Sequence, residues 1–130
     1  MGPSAWGKAL RLALGIASLH SVVLGLTVYL LARPFLSLFG FETQGDLFYP
    51  KQSGVFLLAL GLGYGLAARD PLRHPGLVAL TIVSKTLAVV FLLSEAILFQ
   101  APGFILAAAV VDATFAVAIG YIAWGYYKRR

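Results

Sequence analysis

Four long apolar runs, each bounded by proline or glycine and each with most of its charges gathered at its ends, constrain this chain more than any motif it carries. A helix needs roughly 20 mostly apolar residues to cross a hydrocarbon core about 30 Å thick. The runs extend from about Leu10 to Ala32, Gln52 to Ala68, Leu77 to Phe99 and Gly103 to Tyr126. Arg33-Pro34 and Tyr49-Pro50 bound the first break, Asp70-Pro71 and Pro75-Gly76 the second, and Pro102-Gly103 the third. Composition points the same way: 60% of the 130 residues are hydrophobic and 12% charged, against about 45 to 50% and about 25% in an average globular protein. The pattern predicts an all-α fold, a four-helix transmembrane bundle running up-down-up-down as a single membrane domain over residues 1–130. The first run is longer than the roughly 7 to 15 apolar residues of a signal peptide, carries His20 and precedes no small-x-small site, so it is expected to be a retained span.

Basic residues set the expected orientation. Lys8, Arg11, Arg69, Arg73, Lys128, Arg129 and Arg130 put seven cations on one side, and only Arg33 and Lys51 lie opposite. Lys and Arg accumulate in cytoplasmic flanks, so both termini are expected in the cytoplasm. Trp6, Trp124, Tyr126 and Tyr127 fall near the inner interface, with Tyr29, Phe48, Tyr49, Phe99 and Phe104 near the outer one, as aromatic belts require. The net charge of +5 follows from these flanks and forms no stripe, which argues against nucleic acid as a partner. The absence of cysteine removes thiolate nucleophiles, thiolate metal sites and disulfides.

The outer connection from Arg33 to Lys51 is too short to span yet rich in apolar residues, with Phe35, Leu36, Leu38, Phe39 and Phe41 after Pro34. Two arrangements would hide them: a short helix resting in the headgroup boundary, or a loop packed over the outer end of the bundle. On the inner side, Asp70 can cap a short turn that begins at Pro71.

Most motif-like strings carry no chemistry. The glycines of Gly61-Leu62-Gly63-Tyr64-Gly65 lie inside a span, without the strand and helix start that a nucleotide loop needs. Gly54, Gly61 and Gly65 instead share a helical face, as do Gly15, Ser18, Ser21 and Gly25 in the first span and Ala109, Ala113, Ala116 and Gly120 in the last. Small residues of this kind let helix backbones approach closely in lipid. Ser84 adjoins Lys85, but neighbours on a helix point about 100° apart, and neither a nucleophile elbow nor a metal-binding helix motif is present.

Ionisable residues inside the spans are the candidate site: His20, Lys85, Glu95 and Asp112. A Lys or Asp at a helix centre costs about 2.5 to 3.5 kcal/mol on insertion scales, so such groups face inward and pair. At about 1.5 Å per residue, His20 and Lys85 lie near the midplane, and Asp112 falls between Lys85 and Glu95 in depth. Thr81, Lys85, Ala88, Leu92 and Glu95 recur on one helical face. The expectation is a polar cluster in the interior in which Lys85 and Asp112 interact directly or through one water. Such a cluster fixes helix register in one reading and serves a ligand or proton in the other. No metal or cofactor is expected, since one buried histidine supplies neither a closed metal site nor a pair of haem ligands.

The layout, LRLALGIASLHSVVLGL early, LALGLGYGLAARDPLRHP in the middle, then helices bearing Lys85 and Asp112, resembles small four-helix bacterial membrane proteins loosely called DoxX-like. The resemblance spans most of the chain and implies a multi-pass protein of the bacterial inner membrane; it carries no catalytic residue across. Two function classes follow from the residues themselves. One is a non-enzymatic protein of the lipid bilayer that binds a lipid or apolar small molecule near the polar cluster. The other is an accessory subunit that packs its small-residue stripes against a membrane protein partner, with a proton-coupled transporter behind both.

Overall fold

The computed structural model describes residues 2–130. Its five helices are α1 (Pro3–Leu30), α2 (Ala32–Leu38), α3 (Phe48–Arg69), α4 (Pro75–Leu98) and α5 (Phe104–Lys128), with no strand among the described residues. Three helical segments, Ser4–Leu30, Pro75–Leu98 and Phe104–Lys128, are long and apolar enough to cross a membrane. α3 has 22 residues but carries Lys51, Gln52 and Ser53 near its start and is diluted by Gly54, Gly61, Gly63 and Gly65.

Helix ends extend beyond the apolar runs. α1 begins at Pro3 rather than near Leu10, because Lys8 and Arg11 interrupt hydropathy without disfavouring a helix. α3 begins at Phe48 rather than near Gln52. Pro50 stands in its first turn, where a missing N–H removes no intrahelical bond, and the Asp46 carboxylate accepts the Phe48 N–H at 2.9 Å. At the next turn, Asp70 Oδ1 accepts the N–H groups of Leu72 and Arg73 at 3.2 Å each, so Asp70 does cap the turn entered by Pro71.

The outward faces are apolar. Leu12, Leu62, Leu87 and Val117 are each more than 60% exposed, a surface that water would drive to associate and that hydrocarbon accommodates without penalty. Inside, α1 packs most closely on α3, and the seam is made by glycine. A Cβ on Gly25 would lie 2.7 Å from the Gly54 carbonyl oxygen, and one on Gly54 would lie 2.8 Å from that of Gly25. Lower in the seam, a Cβ on Gly61 would lie 3.2 Å from the Ser18 carbonyl oxygen, and the Ser18 hydroxyl donates to the Gly61 carbonyl at 2.7 Å. Residue numbers rise along one helix as they fall along the other, so the two are antiparallel.

The hydrophobic core gathers at one end. Trp6, Leu10, Leu14 and Ala17 of α1 meet Tyr64, Ala67, Val78, Ile119, Ala123 and Tyr126 there. Trp6 lies directly over Gly125, where a Cβ would come within 2.5 Å of its ring. Tyr127 Oη ties the same end of α5 to the α3–α4 turn by donating to the Pro71 carbonyl at 2.7 Å. Away from this end the helices are separated by a cavity.

Candidate functional site

The cavity has a volume of about 570 Å³ and is lined from all five helices. Its wall is almost wholly apolar, with His20 and Asp112 as its ionisable residues. From His20 to Val28 on α1, and from Phe104 to Asp112 on α5, the lining reaches over a stretch of nine residues, a rise of about 12 Å along each helix axis. The polar cluster is thus the floor, where the packed core ends.

Three of the four ionisable residues singled out in the sequence meet there. Lys85 Nζ donates to Asp112 Oδ1 at 2.7 Å, with the two side chains 6% and 15% exposed. Lys85 Nζ also stands 5.1 Å from the centroid of the Phe115 ring, and that ring lies 5.3 Å from the imidazole of His20. Phe115 follows Asp112 by three residues, on the same face of α5, so one aromatic ring touches both the histidine and the ammonium group. Glu95 does not join them. It is ten residues beyond Lys85, about 15 Å along α4, is half-buried and has no ion-pair partner among the described residues.

His20 is distinctive in another way. Its Nδ1 is buried and has no hydrogen-bond partner among the described residues. An unsatisfied buried polar atom costs about 1 to 3 kcal/mol, and the residue that carries it lines an apolar cavity large enough for a small molecule.

A second polar contact supports the floor from the α3 side. Tyr64 Oη and Ser84 Oγ are 2.5 Å apart, Ser84 in turn donates to the Thr81 carbonyl at 3.1 Å, and the Tyr64 ring is buried. Sequence reasoning passed over Tyr64 and Phe115. The signal for the first is its place between Gly61 and Gly65 on the packed face of α3; for the second it is the three-residue step from Asp112.

The far end of the cavity is aromatic. α2 is a short helix, and its Phe35 and the Phe39 that follows it turn into the cavity rather than lying wholly along the headgroups, while Leu38 remains 78% exposed. The connection thus combines features of the two arrangements considered. Phe39 stacks on Phe104 with centroids 3.5 Å apart and planes 13° from parallel. Gly40 makes the required turn: at φ 81° it holds the left-handed conformation that glycine adopts without steric cost. Its N–H donates to the Ser37 carbonyl while that of Phe41 donates to Leu36, the paired bonds of a Schellman helix end. Phe41 is thereby folded back onto the cavity.

No metal centre is built here: among the described residues, no group of three His, Asp or Glu side chains is placed to hold a metal ion. No protein-family model, no curated protein and no solved structure matches the chain.

Proposed function

We propose that the protein is a four-pass membrane protein, with α1, α3, α4 and α5 as up-down-up-down spans and both termini cytoplasmic, which binds a lipid or apolar small molecule in its cavity. Three helices of spanning length and composition support the membrane placement. α3 has the length for a fourth, since 22 residues rise about 33 Å. Labelling with an impermeant thiol reagent tests the arrangement. Cysteine introduced at Ser4 is expected to react only from the side opposite to cysteine introduced at Gln44, and reaction of both from one side overturns it.

The observation that carries the binding reading is an apolar cavity with only His20 and Asp112 as ionisable residues of its wall, the Nδ1 of that histidine having no hydrogen-bond partner among the described residues. Ligand sites of about 300 to 1,000 Å³ combine apolar walls with a few placed polar groups, and this cavity has that character and size. The occupant is a molecule with an apolar body, seated against Phe39, Phe56 and Phe91, and one hydrogen-bonding end that meets His20 and Asp112. Phe56 of α3 and Phe91 of α4 line the cavity and are each 60% exposed, so the cavity is not closed off at these side chains. A lipid-phase ligand can therefore enter through the side of the protein without crossing water.

The accessory-subunit reading draws on small-residue stripes that need a partner, and the stripe of α3 has one within the chain: Gly54 and Gly61 are closed against Gly25, Val22 and Ser18. Purification in mild detergent followed by native mass spectrometry is expected to retain a small molecule at 1:1 stoichiometry. His20→Leu should abolish its retention without loss of the folded chain. Full retention in that variant, or no small molecule in either protein, sinks the proposal.

A further inference from the structure

The basic end of the molecule holds a second concave site, separate from the cavity. Ser4, Gly7, Lys8 and Arg11 line a groove of about 210 Å³ together with Tyr126 and Arg130. The four α1 residues follow the i, i+3, i+4, i+7 spacing of a single helical face. That face meets α5 closely because residue 7 is glycine: a Cβ there would lie 3.1 Å from the Tyr126 ring. Lys8 and Arg11 on one wall and Arg130 on the other therefore converge on one depression.

No carboxylate side chain lines this groove. The acidic residues of the chain are Glu42, Asp46, Asp70, Glu95 and Asp112; Asp112 is taken by Lys85, and Asp70 caps its own turn. The first turn of α1 contains no acidic residue either, so the positive end of the helix dipole adds to the side-chain charge. Arg130 is held in place by its neighbour, with its guanidinium 5.0 Å from the Tyr126 ring centroid and donating to Tyr126 Oη at 3.3 Å. A preference for cations on one side of a membrane explains how many basic residues this end has. It does not explain three of them converging on a pocket with a hydroxyl at Ser4 and a phenol at Tyr126.

We infer that this groove binds a phosphate group, and that its source is the headgroup of an anionic phospholipid. Phosphate supplies the missing negative charge and several acceptor oxygens for Lys, Arg, Ser and Tyr donors. The lipid source follows from place: the groove is at the end of two spanning-length helices and is lined by Tyr126, an aromatic residue of the kind that sits at headgroup level. Basic pockets between helices at a membrane surface are suited to such headgroups.

Native mass spectrometry of the full chain in detergent, titrated with phosphatidylglycerol or with phosphatidylcholine of the same acyl chains, tests this. Phosphatidylglycerol should be retained and phosphatidylcholine should not. Lys8→Gln combined with Arg11→Gln should weaken retention by roughly thirtyfold, the loss expected for two cations near an anionic lipid. Arg69→Gln combined with Arg73→Gln removes as much charge from the same end but outside the groove, where it acts on a bound headgroup only through a screened field, and should weaken retention clearly less than the groove pair. All four side chains belong to exposed residues without ion pairs among the described residues, so both variants are expected to melt with the parent protein. Equal losses in the two double variants, or equal retention of the two lipids, overturn the site. Displacement of phosphatidylglycerol by millimolar inorganic phosphate, with phosphate bound alone as tightly, overturns the lipid as its source.

Discussion

Asp112→Leu is expected to destabilise the protein by about 3 to 5 kcal/mol, the cost of leaving one member of a buried ion pair without the other. Lys85 is the member that suffers. Its side chain is 6% exposed, its ammonium lies at the floor of an apolar cavity, and the Phe115 ring at 5.1 Å returns only about 0.5 to 2 kcal/mol of cation–π attraction. Lys85→Met should cost less, because Asp112 is 15% exposed against 6% for Lys85 and so keeps more of its solvation when left alone. The double variant, Met facing Leu, removes both charges and fills the space with apolar side chains, so it should be more stable than Asp112→Leu alone. The coupling between the two sites is then about 1 to 3 kcal/mol. Thermal unfolding of the parent, both single variants and the double variant in one detergent gives that number. Strictly additive losses would mean that the pair contributes nothing beyond its separate parts. Polar contacts between membrane helices have averaged about 0.6 kcal/mol, so a coupling near that value would place the pair among ordinary interhelical bonds rather than buried salt bridges.

The approach of Lys85 to Asp112 was legible in the sequence because two independent coordinates defined it. Depth came from counting residues inward from the ends of the spans, and direction from the helical face that carries Thr81, Ala88 and Leu92. Both coordinates depend only on the regular rise and turn of a helix, which a nearly uninterrupted apolar run guarantees. Glu95 satisfied the direction but lies three turns too far along. The beginnings of α1 and α3 were not legible from hydropathy, since that property marks the thickness of hydrocarbon and not the extent of hydrogen-bonded backbone. Lys8, Arg11 and Lys51 are compatible with a helix in water or at an interface. The cavity was least legible of all. It exists because Trp6 can close onto Gly125 at one end, while phenylalanines from α2, α3, α4 and α5 hold the other end apart. That difference in width between two ends of the same helices is not a periodic property of any single segment.

Gly54→Ala should lower stability by about 1 to 3 kcal/mol, the range for overpacking a well-filled interior, although alanine is the better helix former by about 1 kcal/mol. The sign is decided by what the added methyl would meet. At Gly54 its nearest neighbours are the Gly25 carbonyl oxygen and the Tyr29 amide nitrogen, each 2.8 Å away, with the Tyr29 Cα at 3.2 Å. All three belong to backbone, so no rotamer change can make room and the axes of α1 and α3 must separate. Gly25→Ala meets the same obstacle from the other side, with the Gly54 carbonyl at 2.7 Å and the Leu58 amide at 2.8 Å, and should cost a similar amount. Because a single displacement relieves both clashes, the double variant should lose less than the sum of the single losses. Gly120→Ala is the control: nothing lies within 4 Å of the added carbon, so the change in helix propensity acts alone and stability should rise by up to about 1 kcal/mol. Melting temperatures in detergent for these four proteins, set against the parent, decide the matter. If Gly54→Ala melts with Gly120→Ala, the α1–α3 seam is not closed by backbone contact. If it falls as expected, ligand retention should fall with it, because Leu24 and Val28 on α1 and Leu57 and Leu60 on α3 flank the same seam and form one wall of the cavity.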